Sequence, residues 1–306
     1  MSTGLPFTVL GGYLGAGKTT LVNELLRNAE GLRLAVLVND FGSVNIDVDL
    51  IAEHDRDTIN LANGCICCSL VDGLAQTISG VLERSAEFDH VVIEASGVAD
   101  PAKIAHYGQM YEMPLDGIIV MADAEQVRDK AADKFVGETV VRQFSQADLI
   151  LVNKTDLVSD TDLTSLHTWL GDLAPDAPRI ETQQSKVALD VLLGSHESRG
   201  ARTIQTDGAE HEDHALSHQT WTMERIGLLS RSDIERFAVA LGPNIYRAKG
   251  FVHLDEDPAT QFVFQRVGAR WTLEPGAPWD DQERITRMVL IGRSGAVEDE
   301  SIEGLL

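Results

Sequence analysis

Five short apolar runs, at residues 7–10, 34–38, 90–93, 117–121 and 149–152, lack polar alternation. A strand with one wet face would alternate with a period of two. Unbroken runs of this kind belong to strands covered on both faces, as in a parallel sheet between helix layers. Segments of mixed polarity lie between them, among them 19–28, 70–84 and 102–110, and these read as helices. The β-α-β-α order predicts an α/β domain with a doubly wound, mostly parallel sheet.

The pattern changes after Gly194. Residues 195–217 are rich in Ser, Gly, Asp, Glu and His and poor in apolar side chains, which predicts a linker or mobile loop. Beyond it, 219–223, 246–254, 261–267, 270–273 and 287–291 read as strands. Residues 232–240 read as one helix, with Ser230 or Ser232 as its N-cap. The 306 residues therefore divide into 1–195, a linker at 196–218 and a smaller α+β domain at 219–306.

The first apolar run leads into Gly12-Tyr-Leu-Gly-Ala-Gly17-Lys18-Thr19, an ungapped G-x-x-x-x-G-K-[ST] followed by a helical segment. This is a phosphate loop, and it makes the sheet that of a P-loop NTPase. Backbone at Gly12, Gly15, Ala16 and Gly17 would wrap a β-phosphate at a helix N-terminus. Lys18 would reach the β- and γ-phosphates, Thr19 would ligate Mg²⁺, and Thr20 would meet the α-phosphate. A chance Gly-rich turn carrying a lysine is the competing reading.

The fifth run ends in Asn153-Lys154-Thr155-Asp156, an N-K-x-D that would read guanine. The Asp156 carboxylate can accept from N1–H and the exocyclic amine of guanine, a donor pair that adenine lacks. At about 1.5–3 kcal/mol for each charged hydrogen bond, GTP would be favoured over ATP a hundredfold or more. The third run ends in Glu94-Ala-Ser-Gly97, a candidate switch. Gly97 N–H would meet the γ-phosphate, and Glu94 would act through the metal or the attacking water. Asn39-Asp40-Phe-Gly42 ends the second run, and Asp40 is a candidate for Mg²⁺, the water or a transition metal.

All three cysteines, Cys65, Cys67 and Cys68, fall within four positions between these segments. An odd, clustered set is no disulfide framework. Three thiolates suit Zn²⁺, with Co²⁺ as the alternative, and leave a fourth position for Asp40, a histidine, water or a partner's residue. Buried structural thiols and a redox pair are the competing readings. His211, His214 and His218 add imidazoles that gather metal or simply sit in a solvated acidic loop.

A net charge of −23 argues against nucleic acid as a partner. No apolar run nears the roughly 20 residues needed to span a bilayer, and the start lacks a secretory pattern. The expected compartment is the cytoplasm.

Together these motifs resemble the CobW family of P-loop metallochaperone GTPases, which includes nickel-enzyme maturation and nitrile hydratase activator proteins. The resemblance rests on residues 11–20, Gly64-Cys-Ile-Cys-Cys68, Glu94-Ala-Ser-Gly-Val-Ala-Asp-Pro101, residues 153–156 and, in the tail, Tyr246-Arg-Ala-Lys-Gly-Phe251, Trp271, Trp279 and Val289-Leu-Ile-Gly292. Asp40 stands where the family more often has Glu. The resemblance implies GTP-gated delivery of a metal from the C-x-C-C to a client metalloprotein, with a homodimer as an option. Two other readings stay open: a metal sensor or store with nucleotide as a structural ligand, and a GTPase activator of a metalloenzyme such as a cobalt-type nitrile hydratase.

Overall fold

The computed structural model describes residues 4–29, 31–38, 70–194, 218–279 and 284–295. Packing divides the chain into two units, Met1–Lys186 with Val267–Arg270, and Val187–Arg266 with Trp271–Leu306.

In the first unit, β1 (Phe7–Gly12), β2 (Leu34–Val38), β3 (His90–Glu94), β4 (Leu115–Asp123), β5 (Leu149–Asn153) and β6 (Arg179–Thr182) form a six-stranded sheet in the order β2-β3-β1-β4-β5-β6. Every pairing is parallel. The apolar runs form strands for the reason their composition gives: β1, β2, β3 and β5 are buried at every position. Val9, at the centre, faces Ile93 on one side and Ile118 on the other.

Helices α1 (Lys18–Arg27), α2 (Leu70–Glu83), α3 (Pro101–Met110), α4 (Val127–Ala132), α5 (Gly137–Phe144) and α6 (Asp160–Leu173) connect the strands. Local chemistry starts two of them. Asp100 accepts from Ala102 N and Pro101 opens α3, while Ser159 accepts from Asp162 N at the start of α6. The core gathers Phe7, Ile78, Phe88 and Phe144 against the sheet, and α3 approaches so closely that a Cβ on Gly108 would lie 2.5 Å from the Phe7 ring.

The second unit holds α7 (Leu189–Leu193), α8 (Arg231–Ala240) and a five-stranded sheet, β10-β9-β8-β11-β7. Its strands are β7 (His218–Ile226), β8 (Ile245–His253), β9 (Thr260–Val267), β10 (Arg270–Pro278) and β11 (Ile285–Arg293). β11 runs antiparallel to both neighbours. Ser230 is the cap of α8, in a reciprocal capping box with Asp233. Ile234 and Phe237 then pack on Phe264, Met288 and Leu290. Strand β10 extends past its expected end at 273 through Pro275 and Pro278, which an edge strand tolerates.

Candidate nucleotide site

The loop between β1 and α1 leaves a helix N-terminus open. Gly17 is the N-cap of α1, with φ of 107°, and no side chain caps the helix. Its first-turn amides are thus available to an anion. Only glycine fits there, since a Cβ would lie 2.4 Å from Asn153 Nδ2. Lys18 is buried, and its Nζ donates to Gly12 O at 2.8 Å and Tyr13 O at 3.4 Å. The ammonium is therefore held over the loop it would serve. A cavity of about 250 Å³ opens here, lined by Gly15, Lys18, Thr19, Thr20, Glu94 and Gly97 among others.

Thr19 and Glu94 meet across this cavity, with Thr19 Oγ1 donating to Glu94 Oε1 at 3.2 Å. A hydroxyl beside a carboxylate is an oxygen pair of the kind a hard cation takes, so the residues fit Mg²⁺. The segment after Glu94 is tightly placed. Ala95 N donates to Leu10 O at 2.8 Å, and Gly97 lies so close to the phosphate loop that a Cβ would be 2.7 Å from Leu14 N.

The N-K-x-D segment joins the same site. Asn153 Nδ2 donates to Ala16 O at 2.9 Å, across 137 residues, and to Ser185 Oγ at 3.0 Å. Ser185 returns one bond and adds another: its N donates to Asn153 Oδ1 at 3.0 Å and its Oγ to Gly17 O at 3.1 Å. Lys154 adopts φ of 63° and its Nζ lies 2.6 Å from Asp123 Oδ2. Asp123 also accepts from Glu125 N and Gln126 N, which fixes its carboxylate. Asp156 sits exposed on the 3-10 turn Thr155–Leu157.

Three residues here escaped the sequence reading: Asp123, Ser185 and Gln143, whose amide holds Gly97 and Ala99. Ser185 follows Gln184 in the left-handed region, at φ of 58° and 54°. Non-glycine residues persist there only where surroundings fix them. A Ser-Lys pair after the short strand beyond N-K-x-D was the available signal.

Asp40, Cys65, Cys67, Cys68, His211 and His214 lie outside the described residues. His218 begins β7, with Nε2 3.5 Å from Asp190 Oδ2. Burial opposes ionisation of Asp190, but the His218 bond and charge hold its carboxyl below the usual range. Among the described residues, no group of three or more His, Cys, Asp or Glu could hold a metal ion, and no helix is long and apolar enough to cross a membrane.

Comparison with known proteins gives a consistent result. Residues 6–181 match the CobW/HypB/UreG nucleotide-binding domain, and residues 218–306 match the cobalamin synthesis protein cobW C-terminal domain. The chain is 32% identical to the zinc chaperone CobW of Sinorhizobium sp, over 94% of this chain and 92% of the relative. It is 31% identical to the zinc-regulated GTPase metalloprotein activator 1 of Schizosaccharomyces pombe, over 95% of this chain and 82% of the relative. Among solved structures it is similar to the Zn(II)-bound YjiA GTPase from E. coli, at 24% identity and a TM-score of 0.47, covering 100% of this chain and 98% of that one. With a phosphate-loop motif and an N-K-x-D at strand ends of one parallel sheet and matches over both domains, the chain belongs to the CobW/HypB/UreG family of P-loop GTPases.

Proposed function

We propose that this chain hydrolyses Mg²⁺·GTP at the cavity between the phosphate loop and β3, and couples turnover to delivery of a transition metal held by Cys65, Cys67 and Cys68. The observation that carries the nucleotide half is the Asn153–Ala16 bond, which ties the base reader to the phosphate loop. In this reading Gly12, Gly15, Ala16 and Gly17 cradle the β-phosphate. Lys18 transfers its bonds from Gly12 O to phosphate oxygens, and Thr20 meets the α-phosphate. Thr19 holds Mg²⁺, with Glu94 beside it or on the attacking water. Bound there, Mg²⁺ would supply positive charge that offsets charge developing on the transferred phosphate. Gly97 N–H binds the γ-phosphate, Asn153 and Lys154 shape the base pocket, and Asp156 reads guanine.

Zinc is the cargo that the relatives' names favour, and Co²⁺ is the alternative. The thiolates stand in sequence between the second and third strand ends, so one rearrangement at the γ-phosphate could change both sites. Asp40 is a further ligand candidate. The functional division is a GTPase domain at 1–195, a linker at 196–218 and a client-recognising domain at 219–306, although packing groups Leu189–Leu193 with the second unit and His218 already belongs to β7. The partner is a cytoplasmic client metalloprotein, with a homodimer as an option. Activation of a metalloenzyme is the second reading, favoured by the name of the S. pombe relative.

Zinc transfer to an apo-client under GTP, and under a non-hydrolysable analogue, separates these readings. Transfer under GTP alone supports the chaperone. Client activation without transfer supports the activator, and a wild-type chain that does not turn over GTP sinks both. Cys67→Ala should lose tight zinc binding while keeping GTP affinity within about twofold, because none of the nucleotide contacts proposed above involves a cysteine.

A further inference from the structure

Gln143 on α5 is 1% exposed, and its Nε2 donates to Gly97 O at 3.1 Å and Ala99 O at 2.8 Å. Both partners are acceptors, so the chemistry fixes which end of the amide faces them. The buried Oε1 then has no hydrogen-bond partner among the described residues. An orphaned buried acceptor loses its hydration and gains no hydrogen bond in return. An apolar side chain of similar volume would avoid that cost, so filling the core does not account for this residue.

The neighbouring side chain grips the same segment. Arg142 Nε stands 3.4 Å from Asp100 Oδ2, while Asp100 Oδ1 caps α3 at Ala102 N. Two consecutive residues of one helix thus hold Gly97, Ala99 and Asp100. On its other side, Gly97 lies against Leu14 with no room for a Cβ. The segment is clamped between the phosphate loop and α5, and α5 ends five residues before β5, the strand that carries Asn153.

We propose that Gln143 is a positioning residue for GTP hydrolysis. By anchoring the Gly97 and Ala99 carbonyls, it orients the loop so that Gly97 N–H faces the γ-phosphate. The same anchor links the loop that senses the γ-phosphate to the helix leading into the base reader. The inference rests on the GTPase reading of this cavity.

The test uses the full chain, with GTP, GDP and a non-hydrolysable GTP analogue as probes. Gln143→Met keeps the volume and removes the donor. Its kcat should fall about tenfold or more, as expected when a reacting group is misplaced. GDP affinity should stay within about twofold, and analogue affinity should fall relative to GDP. Gln143→Glu should also be slow near pH 8. A protonated carboxyl can donate one of the two bonds, so its rate relative to wild type should recover as pH falls from about 8 to 6.

Folded variants that turn over within about twofold of wild type would overturn the inference and leave the GTPase reading standing. So would a loss of GDP affinity as large as the loss in kcat, which would mark collapse of the site. A wild-type chain that neither binds nor hydrolyses GTP overturns both. If Gln143→Met fails to fold, Gln143→Glu carries the same comparison.

Discussion

The two sheets treat buried polar residues differently. In the parallel sheet, β3, β4, β5 and β6 end in Glu94, Asp123, Asn153 and Thr182, all buried. In the antiparallel sheet the buried polar residues Arg247, Arg266 and Thr286 lie within strands and bond to backbone. Arg247 donates to Val191 O and Leu192 O, Arg266 to Ile245 O and Gly242 O, and Thr286 Oγ1 accepts from His253 N. The difference follows from direction. Parallel strands bring all their carboxyl ends to one edge, where polar groups can converge on a ligand. Antiparallel strands alternate, so their polar groups serve local chain geometry. The parallel sheet also has Thr8 and His90 buried near its other edge, where they bond to each other at 2.9 Å.

That contrast fails if changes around the carboxyl edge leave nucleotide handling intact. The largest effect is expected from Asp156→Asn, which exchanges the acceptor pair for one acceptor and one donor. GTP affinity should drop about a hundredfold, or about 3 kcal/mol, with xanthosine triphosphate preferred. Unchanged affinity in a titration would refute the base-reading role. Gly17→Ala comes next. Its Cβ would collide with Asn153 Nδ2 at 2.4 Å and with Ser185 Oγ at 2.7 Å, at a φ of 107°. The phosphate loop and base reader would be forced apart, lowering GTP affinity roughly thirtyfold and stability by about 1–3 kcal/mol. A smaller effect is expected from Asp123→Asn, which removes the charge facing Lys154 Nζ. That pair is half-buried, so GTP affinity should fall about tenfold or less, while a melt should show little change.

The sequence made some of this readable and hid the rest for definable reasons. Strands buried on both faces announce themselves as apolar runs, and β1, β2, β3 and β5 begin where those runs begin. Strand β6, Arg-Ile-Glu-Thr, is short, polar and at the sheet edge, so its composition matches that of a loop. Ser185, just beyond it, was missed for that reason. The type of Asn153 was legible from its motif, but its bond to Ala16 depends on packing across 137 residues. Gln143 lies in an ordinary helical segment, and only its bonds to Gly97 and Ala99 and its orphaned oxygen, all set by packing, distinguish it.

Arg266 sharpens the contrast from the other side, and with the smallest effect. Like Lys18 it is a buried cation donating to backbone carbonyls, but it spans the turn after α8 rather than a cavity. Burial pushes its guanidinium down to about 10. Above that pH the folded chain has released a proton that the unfolded chain still holds, so stability gains from this group as pH rises through 10 toward the ordinary arginine value. Below pH 10 the cost of burying the charge is present in full. Wild type should therefore gain about 1 kcal/mol on Arg266→Met between pH 9 and 11 in paired denaturant titrations. GTP turnover of the variant at neutral pH should stay within about twofold of wild type, since a structural cation in the second unit has no part in phosphate chemistry. A large loss of turnover without unfolding would mean that the antiparallel sheet also bears on nucleotide chemistry, and the division between the two sheets would not hold.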